Sequence, residues 1–190
     1  MPEWVRSNVM SPLAGLSYAA AALLFAAGAA KAVTPASTRI ALRSAGFPSS
    51  ALAARGLGVA EVAIAIAAIC VGNAITVAVL ALGYLGFAGF ARLLQVKTRG
   101  AAPCGCFGAS SAPVGTLHVV INVLVAIGVA IAALDASGPI WSAAAATPWA
   151  GVPFVGLALL LTWLLYLSLT VLPETLAAAK ATAPTAGATP

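Results

Sequence analysis

A chain of 190 residues that is 62% hydrophobic and only 7% charged, with mean hydropathy +1.07, departs from soluble domains, which carry about a quarter charged residues. Lipid is the solvent such a chain expects, and its length leaves room for a handful of spans and little else. The net charge of +5 includes no basic block and no interleaved aromatics, which argues against a nucleic-acid surface.

Residues 1–12 form a short N-terminal segment. The first apolar run, 13–33, has spanning length and lacks the small-residue exit of a cleavable signal peptide. Thr34 then reads as an N-cap, Pro35 as the first helical position and Gly46 as the stop. This predicts a short helix over 35–45 with Arg39 and Arg43 on one face, lying flat at the interface; a polar loop is the alternative. The second span begins near Leu57 and the third ends near Leu94. Between them "CVGNAIT" offers only Gly72 and Asn73 as a turn, so the two form a tight hairpin. Gly83, Gly86 and Gly89, spaced by threes, read as a close-packing seam.

The fourth span is 114–134 and the fifth 152–172, separated by a turn-rich loop, 135–151, with Pro139 and Pro148. Trp141, Trp149 and Trp163 read as interfacial anchors. The low-complexity end, 173–190, reads as a disordered tail. The expected fold is an all-α membrane protein: a four-helix transmembrane bundle over 13–134 plus a fifth, C-terminal transmembrane helix.

With five spans, one face collects Lys31, Arg39, Arg43, Arg55, Arg92, Lys97, Arg99 and Lys180, while the other holds Arg6 alone, with Asn73 and Asp135 in its loops. The positive-inside rule then places the loop between spans three and four on the cytoplasmic side. Ionisable residues inside spans are functional candidates by default. Glu61 lies five residues beyond Gly56, about 7 Å into the second helix by this count. Lys31 and Arg92 sit at the same end, and His118 and Asn122, four apart, share a face of the fourth helix. Lys31 and Glu61 read equally well as a neutralising pair that lets two helices pack and as a proton-handling pair. His118 reads as a hydrogen-bonding partner of the loop or a headgroup contact rather than a metal ligand, and Asn122 as interhelical glue.

That loop, "RGAAPCGCFGASSAP", carries Cys104 and Cys106 around Gly105 and ends its turn with Phe107 and Gly108. Two thiols one residue apart can close a small ring, their Cα atoms falling near the roughly 4.4–6.8 Å that disulfides accept. Such a strained, accessible bond suits exchange rather than scaffolding. Three readings stand: a redox couple, a structural turn, or a metal or metalloid clip, the last short of the four ligands zinc wants. Cys70, some 20 Å along the second helix from Gly56, is out of reach and reads as a small buried hydrophobe.

"GAAKAVTPAS", "GVAEVAIAI", "RGAAPCGCFG" and "LHVVINVLV" together resemble the methylamine utilisation protein MauE family, within the broader DoxX-like group, over about 13–134. The resemblance implies a bacterial inner-membrane protein of four or five helices with a thioredoxin-like partner. It implies a role in maturing disulfide-containing clients of the methylamine dehydrogenase type. It also implies Lys31, Glu61, Cys104, Cys106 and Asn122 as site residues; the shared membrane face adds His118 and Arg92 as supporting residues, and His118 departs from the arginine-like residue of many members. The expected activity is thiol–disulfide exchange at Cys104 and Cys106, with Glu61, Lys31 and His118 tuning thiolate formation. A quinone is a candidate terminal acceptor by analogy with other disulfide-generating membrane proteins, though no residue identifies its site. The rivals are a non-catalytic assembly or anchoring subunit and thiol-mediated metal transport; no metal ligand set is assigned, and the oligomeric state is open.

Overall fold

A computed structural model of the chain describes residues 13–107, 113–134, 138–145 and 149–182. The expected N-terminal segment with Arg6, and Gly108, Asp135, Pro148 and 183–190, lie outside the described residues. The described chain is helical: α1 (Ala14–Val33), α2 (Ala36–Ala45), α3 (Ala51–Cys70), α4 (Ala74–Thr98), α5 (Thr116–Leu134), α6 (Ile140–Ala145) and α7 (Val152–Thr182). Five of these, α1, α3, α4, α5 and α7, are long and apolar enough to cross a bilayer.

Local chemistry sets the boundaries. Gly46 ends α2 in the left-handed region (φ 85°), where its N–H and that of Phe47 cap the last carbonyls of the helix. Ser50 caps α3 by accepting from the Ala53 N–H, and Asn73 caps α4 by accepting from the Thr76 N–H. The Ser50 cap starts the second span six residues before Leu57. Glu61 therefore lies about 15 Å along α3, mid-helix rather than near its end. Thr34 does not cap α2; its hydroxyl turns back to the Ala30 carbonyl of α1.

Two tight pairs, α1 with α3 and α4 with α5, share a core that includes Leu24, Leu80, Tyr84 and Val129. The Tyr84 hydroxyl donates to the Ala20 carbonyl at 2.8 Å, joining the pairs. The seam that lets backbones meet is Gly28 against Gly58, where a Cβ on either would approach the other's carbonyl oxygen to 2.6 and 2.5 Å. The Gly83–Gly86–Gly89 row is no such seam: a Cβ on any of the three would meet nothing within 4 Å. Three-residue spacing marks a helical face without saying whether another helix covers it.

At the end opposite the cysteine loop, the hairpin turn is tied down by Gly138, whose N–H donates to the Gly72 carbonyl and whose carbonyl accepts from Tyr18. The 135–151 stretch, expected as a plain loop, contains α6 and a single 3-10 turn at Trp149–Gly151. The fifth span packs on α1, with Tyr18 edge-on to Phe154. It continues through Pro173 to Thr182, so the first ten residues of the expected disordered tail are helical.

Candidate functional site

The cysteine loop leaves α4 through two left-handed residues, Arg99 (φ 52°) and Gly100 (φ 81°). The Val114 N–H donates to the Ala102 carbonyl, pinching the loop's base where Pro103 faces Pro113. Within it, Gly105 lies against α2. Gly105 (φ 73°) presents its carbonyl to the Thr38 hydroxyl at 2.8 Å, and a Cβ here would strike Ala41 at 2.7 Å. Both the left-handed backbone and the contact with α2 require glycine between the cysteines. Lys97 anchors the same region from α4 by donating to the Ala45 carbonyl at the C-terminus of α2.

This clasp holds Cys104 buried and Cys106 half-buried, with the Cys106 thiol directed at the Cys104 carbonyl. The two thiols face unequal fates on ionisation. A hydrogen bond from Cys104 stabilises the Cys106 thiolate, and the Lys31 ammonium adds to it, so the Cys106 pKa is lowered against the cost of burial. Donating that bond, and burial, push the Cys104 pKa well up. Cys106 is thus both the more acidic and the more accessible thiol.

Beneath the loop Lys31 Nζ and Glu61 Oε2 form a buried salt bridge of 2.7 Å between α1 and α3. Lys31 also lies 5.3 Å from the centre of the Phe87 ring. The second carboxylate oxygen, Glu61 Oε1, is buried with no hydrogen-bond partner among the described residues. Lys31, Glu61, Cys104 and Cys106 line one cavity of about 340 Å³.

The remaining expected site residues stand elsewhere. Arg92 is exposed and bonds Gln95 on its own helix. Asn122 donates to the His118 carbonyl at 2.6 Å and borders a smaller cleft behind the cavity, together with Lys31, Tyr84, Phe87 and Cys106. Among the described residues His118 bonds none of the cysteine loop. Its Nδ1 accepts from the Gly115 N–H, which leaves the proton on Nε2 to donate to the Leu169 carbonyl of α7 at 3.1 Å. Pro173, four residues on, has no N–H to offer that carbonyl, so His118 satisfies an acceptor the proline leaves open. Replacing His118 with Leu is expected to cost about 1–3 kcal/mol, and Pro173→Ala, which restores the helical donor, to recover most of it. Thermal unfolding of the two single variants and the double variant measures the coupling.

Cys70, expected to be buried, is exposed at the end of α3, because α3 turns only a narrow face of small residues and Glu61 toward its neighbours. Phe107, following the second cysteine, sets its ring edge-on to Tyr166 of α7, which stacks on Trp163. Thr38 and Phe87 were missed as site residues. Thr38, Ala41 and Ala45, small residues at helical spacing along α2, were a readable sign of a face made for close contact. Phe87 carried no such sign.

The family model for methylamine utilisation protein MauE matches residues 9–136. The match takes in α1 to α5, with the ion pair and the cysteine loop, and leaves α7 outside. No curated protein and no solved structure matches the chain. With five helices among the described residues long and apolar enough to cross a bilayer, and two thirds of its length under that match, the chain is a multi-pass membrane protein and belongs to the methylamine utilisation protein MauE family.

Proposed function

We propose that Cys104 and Cys106 are a dithiol–disulfide couple that exchanges electrons with a thioredoxin-like partner and so supports maturation of disulfide-containing client proteins. The family name directs the reading toward a methylamine dehydrogenase-type pathway. One observation carries it: two adjacent thiols, the accessible one acidified by its buried neighbour and by Lys31. In the reducing direction the Cys106 thiolate attacks the partner's disulfide, forming a mixed disulfide and releasing one partner thiolate. Cys104 then gives up its proton and attacks Cys106 Sγ, closing the Cys104–Cys106 bond and releasing the second partner thiolate; the reverse steps oxidise the partner. Lys31 favours the thiolate and Glu61 holds Lys31 in place, so both act as positioning residues. The face bearing the loop also carries most of the basic residues, which supports a cytoplasmic loop, and the family resemblance supports a bacterial inner membrane.

Mass-resolved alkylation of the membrane-embedded protein, with Cys70→Ala as background, tests the couple. Because its pKa is lowered, Cys106 should label at lower pH than an ordinary thiol, its rate falling as pH drops through that lowered value. Cys104 should label only well above the ordinary thiol range. A redox couple predicts reversible loss of both signals on mild oxidation and a trapped mixed disulfide in Cys104→Ser. Thiols that stay reduced under every oxidant and partner, or a Cys104→Ser/Cys106→Ser variant that still matures its client, would instead leave an assembly subunit.

A further inference from the structure

The cavity beside the thiols has features that exchange with a protein partner does not use. It lies between α3 and α4, which pack on α1 and α5 respectively and touch each other far less. Gly83 and Gly86 line it, leaving room that any side chain would fill. Exposed Phe47, Leu57 and Gly86 also line it. Leu57 and Gly86 belong to spanning helices, so the cavity reaches the side that faces hydrocarbon.

A volume of about 340 Å³ is at the lower end of small-molecule sites, roughly 300–1,000 Å³. The walls are aliphatic and aromatic apart from the loop, Thr38, the thiols and the ion pair. Lys31 offers N–H donors, and Glu61 Oε1, on a residue only 3% exposed, is an acceptor with no partner among the described residues. A carboxylate oxygen left this way costs free energy unless a donor reaches it. The complementary ligand enters from lipid and brings a flat ring for the Phe87 wall. Its polar edge accepts from an ammonium in one state and donates a hydroxyl to a carboxylate in another.

We infer that this cavity binds a lipid-soluble quinone, which takes the two electrons released when Cys104 and Cys106 close their disulfide. The inference rests on the dithiol reading above. Atoms and electrons balance: two S–H bonds are lost, one S–S bond forms, and two electrons and two protons convert the quinone to hydroquinone. The quinone carbonyl accepts from Lys31, and the hydroquinone hydroxyl donates to Glu61 Oε1. The couple is thereby driven to its oxidised form and oxidises thiols of its partner.

The experiment uses the purified full-length chain in lipid nanodiscs with decylubiquinone. Pre-reduced protein should form one hydroquinone per Cys104–Cys106 disulfide, and Cys104→Ser/Cys106→Ser none. Gly86→Leu, placed where a Cβ meets no neighbour, should weaken decylubiquinone binding by about tenfold or more. An azido-quinone should crosslink to α3 and α4 peptides of the unmutated protein, a result independent of any variant's folding. Absent saturable binding, crosslinks confined elsewhere, or binding indifferent to Gly86→Leu would overturn the inference. Exchange with a thioredoxin-fold protein is assayed separately without quinone. Intact exchange with no quinone binding sinks the quinone alone, and thiols that never cycle sink both readings.

Discussion

Lys31→Met should destabilise the folded bundle by about 3–5 kcal/mol, because it strands a carboxylate that is almost wholly buried. Glu61→Leu alone should cost a similar amount by stranding the ammonium. The double variant Lys31→Met/Glu61→Leu removes both charges and keeps their volume, so most of the loss should return. Reversible unfolding in detergent followed by tryptophan fluorescence gives the three values. The double variant also separates structure from chemistry, since Lys31 is one of the groups that favour the Cys106 thiolate. Glu61 opposes the thiolate less than Lys31 favours it, so if the pair tunes the thiol the pH midpoint for Cys106 alkylation moves up in a protein that is still folded. If the midpoint stays put, the two opposed charges leave no net effect at the thiol and the pair's contribution is to hold α1 to α3. A double-variant loss equal to the sum of the two single losses would mean the two charges are not coupled at all.

Gly58→Leu should prevent assembly of the bundle, whereas Gly86→Ala and Gly89→Ala should alter stability by less than about 0.5 kcal/mol. A Cβ at Gly58 would stand 2.5 Å from the Gly28 oxygen, 2.9 Å from the Ala32 nitrogen and 3.0 Å from the Lys31 Cβ. Two of those neighbours are backbone, which cannot rotate away, so α1 and α3 must separate. Gly58→Ala is the milder version, with an expected cost of about 1–3 kcal/mol as for overpacked cores. Melting curves of the four glycine variants in one detergent decide the matter. A Gly58→Leu protein that melts like the unmutated chain would show that the α1–α3 approach is not what holds the bundle.

The contrast between these glycines shows where sequence reading stopped. Gly83, Gly86 and Gly89 advertise themselves by regular spacing, yet they face the cavity or the outside of the bundle. Gly28 and Gly58 sit in different helices thirty residues apart, and nothing local couples them. His118 is a second instance. Its partner is a carbonyl released by Pro173, fifty-five residues on, and the combination is visible only once α7 lies against α5.

The sequence by itself determined the five spans, the turn at Gly72 and Asn73 though not the tight packing of α3 on α4 expected with it, the short helix stopped by Gly46, and the placement of Lys31, Glu61, Cys104 and Cys106 at one end of the bundle. These follow from hydropathy over a fixed membrane thickness, from turn chemistry, and from the rarity of charges in lipid, all of which act over short stretches of chain. Tertiary structure alone decided the depth of Glu61, the clasp of Thr38 on Gly105, the exposure of Cys70 and the cavity between α3 and α4. In lipid every face of a spanning helix is apolar, so composition cannot tell the side that meets another helix from the side that meets hydrocarbon. Only the fit of small residues between helices makes that choice.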